Sequence, residues 1–209
     1  MRLSKIKLFD FFYKAYHAWP LIYSNLTQLL SFGQWEQWQQ RVFEDISGNK
    51  ILEIGVGPGK LLLKLVQKGC DITGIELRRG MAYEAKRRLK KAGFTPPILQ
   101  QSVEKLPFDN EVFDCIVLTF VLAEITHLEK AILEMKRVLK KNGKVIIIAG
   151  GIPQNNNLIA RILFRLVSPH TTLHLQRNNM QYFQSAGFEV RRTDFGPFNI
   201  VNKIVATKR

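Results

Sequence analysis

The residues with the clearest chemical pattern are Ile51-Leu52-Glu53-Ile54-Gly55-Val56-Gly57-Pro58-Gly59. An apolar run ends in a glycine-rich turn, and the residues after it read as a helix. Glycine lets the backbone turn sharply and lets a ligand approach where a Cβ would stand in the way. Amide N–H groups at the start of the next helix would face that ligand. A carboxylate closes the following apolar run, in Gly74-Ile75-Glu76. There it can accept hydrogen bonds from both hydroxyls of a ribose. Together these features predict a nucleoside-bearing ligand. The dinucleotide pattern G-x-G-x-x-G is not met, because its third glycine, counted from Gly55, falls on Lys60. The spacing is G-x-G-x-G behind an acid, and a loop with no pyrophosphate to cradle can serve an amino-acid tail instead.

Holding a turn and a carboxylate side by side requires adjacent strands. Strands are expected at Lys50–Ile54, Asp71–Glu76, Pro97–Gln101, Phe113–Thr119 and Lys144–Ala149. Helices are expected at Leu61–Lys68, Gly80–Ala92 and Leu128–Lys140, closed by Gly93 and by Asn142-Gly143. This alternation, with continuous apolar strands, predicts an α/β fold: a doubly wound, mostly parallel sheet covered on both faces. Phe188–Arg192 and Ile200–Thr207 are expected to close it as an antiparallel edge, after a helix at Asn178–Ala186. Before the sheet, residues 3–19 and Gln34–Asp45 read as helices of an N-terminal helical cap. The whole chain, 1–209, is expected to be one domain: cap 1–45, cofactor-binding core 46–149, and substrate-side helices with closing strands 150–209.

Composition bounds the partners. The chain has 31 Lys and Arg against 17 Asp and Glu, a formal charge of +14. Such an excess favours an anionic partner: nucleic acid, an anionic membrane surface or an acidic substrate. Two cysteines, Cys70 and Cys115, make no disulfide framework, which predicts a reducing, cytoplasmic compartment. Cysteines and histidines show no paired zinc spacing, so no metal is expected. No apolar stretch reaches the roughly 18 residues of a membrane span, and the N-terminal residues lack the unbroken apolar centre of a secretory signal.

With these pieces in place the chain resembles the class I methyltransferases that use S-adenosylmethionine (SAM), within the branch of ubiquinone/menaquinone and bacterial phospholipid N-methyltransferases. The resemblance covers residues 50–149 and rests on four pieces in family order. They are Glu53-x-Gly55-x-Gly57-x-Gly59, then Glu76, then Glu104-Lys105-Leu106-Pro107-Phe108 with Phe113-Asp114, and Arg137-Val138-Leu139 before Gly143. A weaker match continues into Ala186-Gly187-Phe188. It implies a Rossmann-like fold, with SAM as donor and S-adenosylhomocysteine as product.

It also implies roles. Glu53 would orient the loop and the SAM ammonium, and Gly55, Gly57 and Gly59 would line the methionine half. Glu76, with Leu77 beside it, would bind the ribose. Ser102, Val103 and Glu104 would flank the adenine, and Thr119 would lie beneath the methionine carboxylate or the sulfonium. The family commonly carries Asp where Ser102 stands. No catalytic base is assigned: Glu124 and His127 are candidates with ordinary surface readings, and Tyr13, Tyr16, His17 and Tyr23 belong to the cap.

The acceptor is expected to be small and lipophilic, a quinone precursor or a phospholipid head group. The reason is that residues 1–45 and the Leu158–Val167 helix join aromatic or apolar residues to Lys and Arg, which suits a water–lipid interface. This predicts a cytoplasmic protein peripheral on the inner face of the membrane. An RNA methyltransferase is the second reading and a soluble small-molecule methyltransferase the third. A fold that binds SAM without transferring the methyl group is disfavoured by the intact turn and Glu76.

Overall fold

The structure, a computed structural model, describes residues 28–29, 31–151, 153 and 179–209. The sequence-predicted helices at 3–19 and Leu158–Val167 and the cap residues Tyr13, Tyr16, His17 and Tyr23 lie outside the described residues.

The described chain runs α1 (Trp35–Gln40), a 3-10 turn (Arg41–Glu44), β1 (Lys50–Ile54), α2 (Lys60–Gln67), β2 (Asp71–Ile75), α3 (Arg79–Lys91), β3 (Ile98–Leu99) and β4 (Phe113–Thr119). A 3-10 turn (Leu122–Glu124), α4 (Leu128–Val138), β5 (Leu139–Gly150), α5 (Asn179–Ser185), β6 (Phe188–Phe195) and β7 (Val201–Lys208) follow. The strands form one sheet in the order β3-β2-β1-β4-β5-β7-β6. β3 through β5 pair in parallel, while β7 runs antiparallel to both β5 and β6. The expected doubly wound sheet with its antiparallel edge is therefore present.

Alternation along the central strands feeds two cores. Leu52, Ile54, Ile116, Leu118, Val145 and Ile147 pack on one face beneath α4 and α5. Ile51, Cys115, Val117, Ile146 and Ile148 pack on the other, beneath α1, α2 and α3. Strands buried on both faces carry apolar residues at most positions, which is why they read as near-continuous runs.

Some boundaries differ from the sequence expectation. Gln34–Asp45 is a short α-helix followed by a 3-10 turn rather than one helix. α4 ends at Val138, because Leu139 already pairs with Phe113. The expected stop at Asn142-Gly143 survives as an irregularity within β5, with Asn142 at φ +62°. β3 shrinks to two residues, since on the sheet edge it has only β2 to pair with.

Candidate functional site

In this sheet β2 and β4 flank β1. The connections after β1 and β4 leave on opposite sides, and such a switch point opens a crevice at the carboxyl ends of the strands. A cleft of about 280 Å³ lies there.

The glycine turn follows β1 directly. Gly55 and Gly57 line the cleft, and a Cβ added at Gly57 would meet nothing within 4 Å. Gly59 does not line it. As N-cap of α2 at φ +78°, it faces α3, and a Cβ there would stand 2.9 Å from the Cα and Cβ of Ala85. One glycine thus leaves space for a ligand and the other lets two helices close up.

Glu76 directly follows β2 and is only 7% exposed. Its Oε2 accepts the Gly57 N–H and its Oε1 the Arg78 N–H, both at 2.9 Å. The carboxylate therefore ties the glycine turn to the end of β2. With about four lone-pair directions per carboxylate, each oxygen keeps capacity for a further donor.

Glu53, in β1 two residues before Gly55, is 1% exposed. Its Oε2 finds no hydrogen-bond partner among the described residues. Burial pushes its carboxyl well above the usual range, and the nearby Glu76 charge adds to the shift.

Glu53 lies behind the lining residues rather than among them, whereas the remaining predicted residues gather around the cleft. Leu77, Ser102, Val103, Glu104 and Thr119 all line it. The Ser102 hydroxyl accepts the Glu104 N–H at 3.2 Å, and Glu104 Oε1 accepts the His127 N–H at 3.2 Å. Ser102 is thus a turn residue as well as a lining one. Leu77 is 66% exposed, an apolar side chain at the rim.

Of the other lining residues only Glu124 was a candidate from the sequence, and the rest carried no signal of their own. Arg78, just past β2, pairs with Glu124, just past β4, at 2.9 Å. Burial raises the Glu124 carboxyl above its usual range, against the opposing pull of Arg78. Phe120, Val121 and Ile125 form an apolar wall. Phe120 holds a left-handed backbone at φ +57°, its N–H bonded to the Ile148 carbonyl. Its ring stacks on Trp35 of α1, with centroids 3.9 Å apart. Gln39, also on α1, donates to the Thr119 hydroxyl at 2.8 Å. Lys60 and Lys64 of α2 grip Glu36 at 2.8 and 3.1 Å, which fixes the other side of α1. Sequence alone could not find these contacts, because they join residues far apart in the chain.

The charge balance of the cleft runs against that of the chain. Among the described residues it is lined by three carboxylates, Glu76, Glu104 and Glu124, and one cation, Arg78. No group of three or more potential metal ligands occurs among the described residues.

Residues 52–147 match the family described as methyltransferase domain. The chain is 31% identical over 150 residues to the ubiquinone/menaquinone biosynthesis C-methyltransferase UbiE of Pseudomonas entomophila (strain L48), and 30% identical to that of Pseudomonas fluorescens (strain Pf0-1). Each match covers 68% of this chain and 59% of the relative, so the chain spans under two thirds of those proteins' length. A SAM-dependent methyltransferase from Thermotoga maritima has the same fold, with a TM-score of 0.71 and 21% identity over 93% of this chain and all of that one. So does geranyl diphosphate C-methyltransferase from Streptomyces coelicolor A3(2), solved with Mg2+, geranyl diphosphate and S-adenosylhomocysteine. Its TM-score is 0.70 at 11% identity, over 83% of this chain and 79% of that one.

Proposed function

The chain belongs to the class I SAM-dependent methyltransferases, and from that premise we propose that it methylates a small lipophilic acceptor, a quinone precursor or a phospholipid head group, met at a membrane surface. SAM supplies an electrophilic methyl group on a sulfonium, carried by a nucleoside with an amino-acid tail.

The observation that carries the donor assignment is the buried Oε2 of Glu53, which lacks a partner among the described residues. A buried carboxylate oxygen without a donor is costly. A ligand that brings N–H groups and positive charge would relieve that cost, and the excess of carboxylates in the cleft favours the same ligand. In this reading Gly55 and Gly57 receive the amino-acid half, and Gly59 serves by holding α2 against α3. Glu76 takes the ribose through its remaining lone pairs. Leu77, Ser102, Val103 and Glu104 flank the base, with Ser102 a neutral acceptor of short reach. Thr119, held by Gln39, sits at the methionine end.

Methyl transfer asks the protein chiefly to align two reactants and to exclude water. The wall of Phe120, Val121 and Ile125, backed by Trp35, suits the second task and favours an apolar acceptor. The ubiquinone/menaquinone relatives support the same class. A general base is needed only where the acceptor must lose a proton early, and none is assigned.

The test is incubation with methyl-labelled SAM and separated quinone-precursor, phospholipid, RNA and soluble small-molecule fractions. Label is expected in a quinone or phospholipid fraction. Label confined to RNA, or to the soluble fraction, would overturn the lipophilic acceptor.

A further inference from the structure

We propose that Arg78 and Glu124 form a strap across the donor cleft, and that parting this pair controls the exchange of SAM and S-adenosylhomocysteine. The proposal rests on the donor reading above and adds two positioning residues to it.

The pair joins opposite walls. Arg78 follows the end of β2 and Glu124 closes the 3-10 turn after β4, while β1 and its glycine turn lie between those strands. Two strand spacings, about 9.6 Å, separate neighbours of a common strand. The long Arg78 side chain covers that gap, with its Nη1 2.9 Å from Glu124 Oε2. Both residues line the cleft itself.

Four further observations make the pair a strap rather than an incidental surface contact. The side chains are 37% and 20% exposed, so the Glu124 end is largely shielded from water. Arg78 is the one cation among the described lining residues, facing Glu76, Glu104 and Glu124. Its own N–H is bonded to Glu76 Oε1, so the strap and the carboxylate assigned to the ribose sit on one short backbone segment. Glu76 also holds the Gly57 N–H, so the strap adjoins the carboxylate that anchors the glycine turn. Burial raises the Glu124 carboxyl above its usual range, which shows the cost of leaving that group without Arg78.

The chain's own residues would act as follows. With the pair closed, the ends of β2 and β4 stay fixed relative to each other, and the apolar wall after β4 keeps its place over the cleft. With the pair open, that side-chain tie between the two ends is lost, and the cleft can admit or release its ligand.

The experiment is a double-mutant cycle on S-adenosylhomocysteine dissociation, followed by stopped-flow through tryptophan fluorescence, since Trp35 stacks on the cleft residue Phe120. Arg78→Gln and Glu124→Gln are each expected to speed dissociation about fivefold, the scale of a partly exposed pair. The double variant should be no faster than either single one, because each change already breaks the same contact. Thermal melts on all three variants check that they are folded. Unchanged dissociation in the single variants, or effects that multiply in the double variant, would overturn the strap while leaving the donor site standing. A wild-type chain that binds neither SAM nor its product would instead overturn the donor reading, and the strap with it.

Discussion

At Glu53 a carboxylate is held where a neutral group would be more comfortable. Its folded-state proton affinity is raised by burial, so the folded state binds a proton that the unfolded state has already released. Such a group costs stability above its folded pKa, and the cost fades as pH falls to its unfolded value of about 4.3. Glu53→Gln should therefore raise the Tm of the ligand-free protein at pH 8, with the gain shrinking towards pH 4, and should weaken SAM binding. A Tm lowered at pH 8 would mean the carboxylate is already satisfied. Glu76 differs in its contacts, since both of its oxygens hold backbone N–H groups. Glu76→Gln keeps the shape but loses the charge and one acceptor. It should weaken S-adenosylhomocysteine binding by about 1.5–3 kcal/mol, roughly 10- to 150-fold in Kd by calorimetry. Unchanged affinity would remove Glu76 from the ribose site.

The turn between β1 and α2 shows how one motif carries two separate demands. Gly57 looks into open space, and Gly59 looks into α3. Gly57→Val should stay folded, at a cost of about 1–2 kcal/mol for a side chain in the left-handed region, and should abolish SAM binding by filling the cradle. Gly59→Ala, although the smaller change, should lose more stability, because its Cβ would collide with the Ala85 backbone. Circular dichroism melts beside binding isotherms separate the two. If Gly57→Val melts earlier than Gly59→Ala, the division of labour is wrong. α1 belongs to the same scale. Six residues make a marginal helix alone, and its place over β4 comes from the Trp35–Phe120 stack, the Gln39–Thr119 bond and the Glu36 ion pairs.

Across the whole molecule the charge is segregated. The chain carries +14, yet its cleft is acidic. Apart from Arg78, cations lie outside the cleft, for example on α3, where Lys86, Arg87, Lys90 and Lys91 are exposed. A cationic exterior favours anionic surfaces, while an acidic cleft favours a cationic ligand. Among the described residues no helix is long and apolar enough to cross a membrane. Binding to anionic vesicles is expected, weakening as salt screens it. Neutralising Lys5, Lys7, Arg161 and Arg165 together should reduce that binding, by about 1 kcal/mol for each residue near the surface, and leave SAM binding intact. Vesicle sedimentation beside an RNA gel shift at one ionic strength checks this. Retention of RNA without vesicles would reverse the preference.

By itself the sequence determined the strand-and-helix alternation, the antiparallel edge, the glycine turn and the place of Glu76 directly after β2. These are local properties. A strand buried on both faces is mainly apolar, a sharp turn favours glycine, and both conditions are written in consecutive residues. The tertiary structure alone decided which glycine faces the cleft and which faces Ala85, because that depends on where α3 packs. It alone brought Gln39 to Thr119, 80 residues away, and Arg78 to Glu124. It also put the end of α4 at Val138, where Leu139 finds Phe113 on the neighbouring strand. Contacts of this kind are fixed by strand order and helix packing, and no periodicity within a single segment records them.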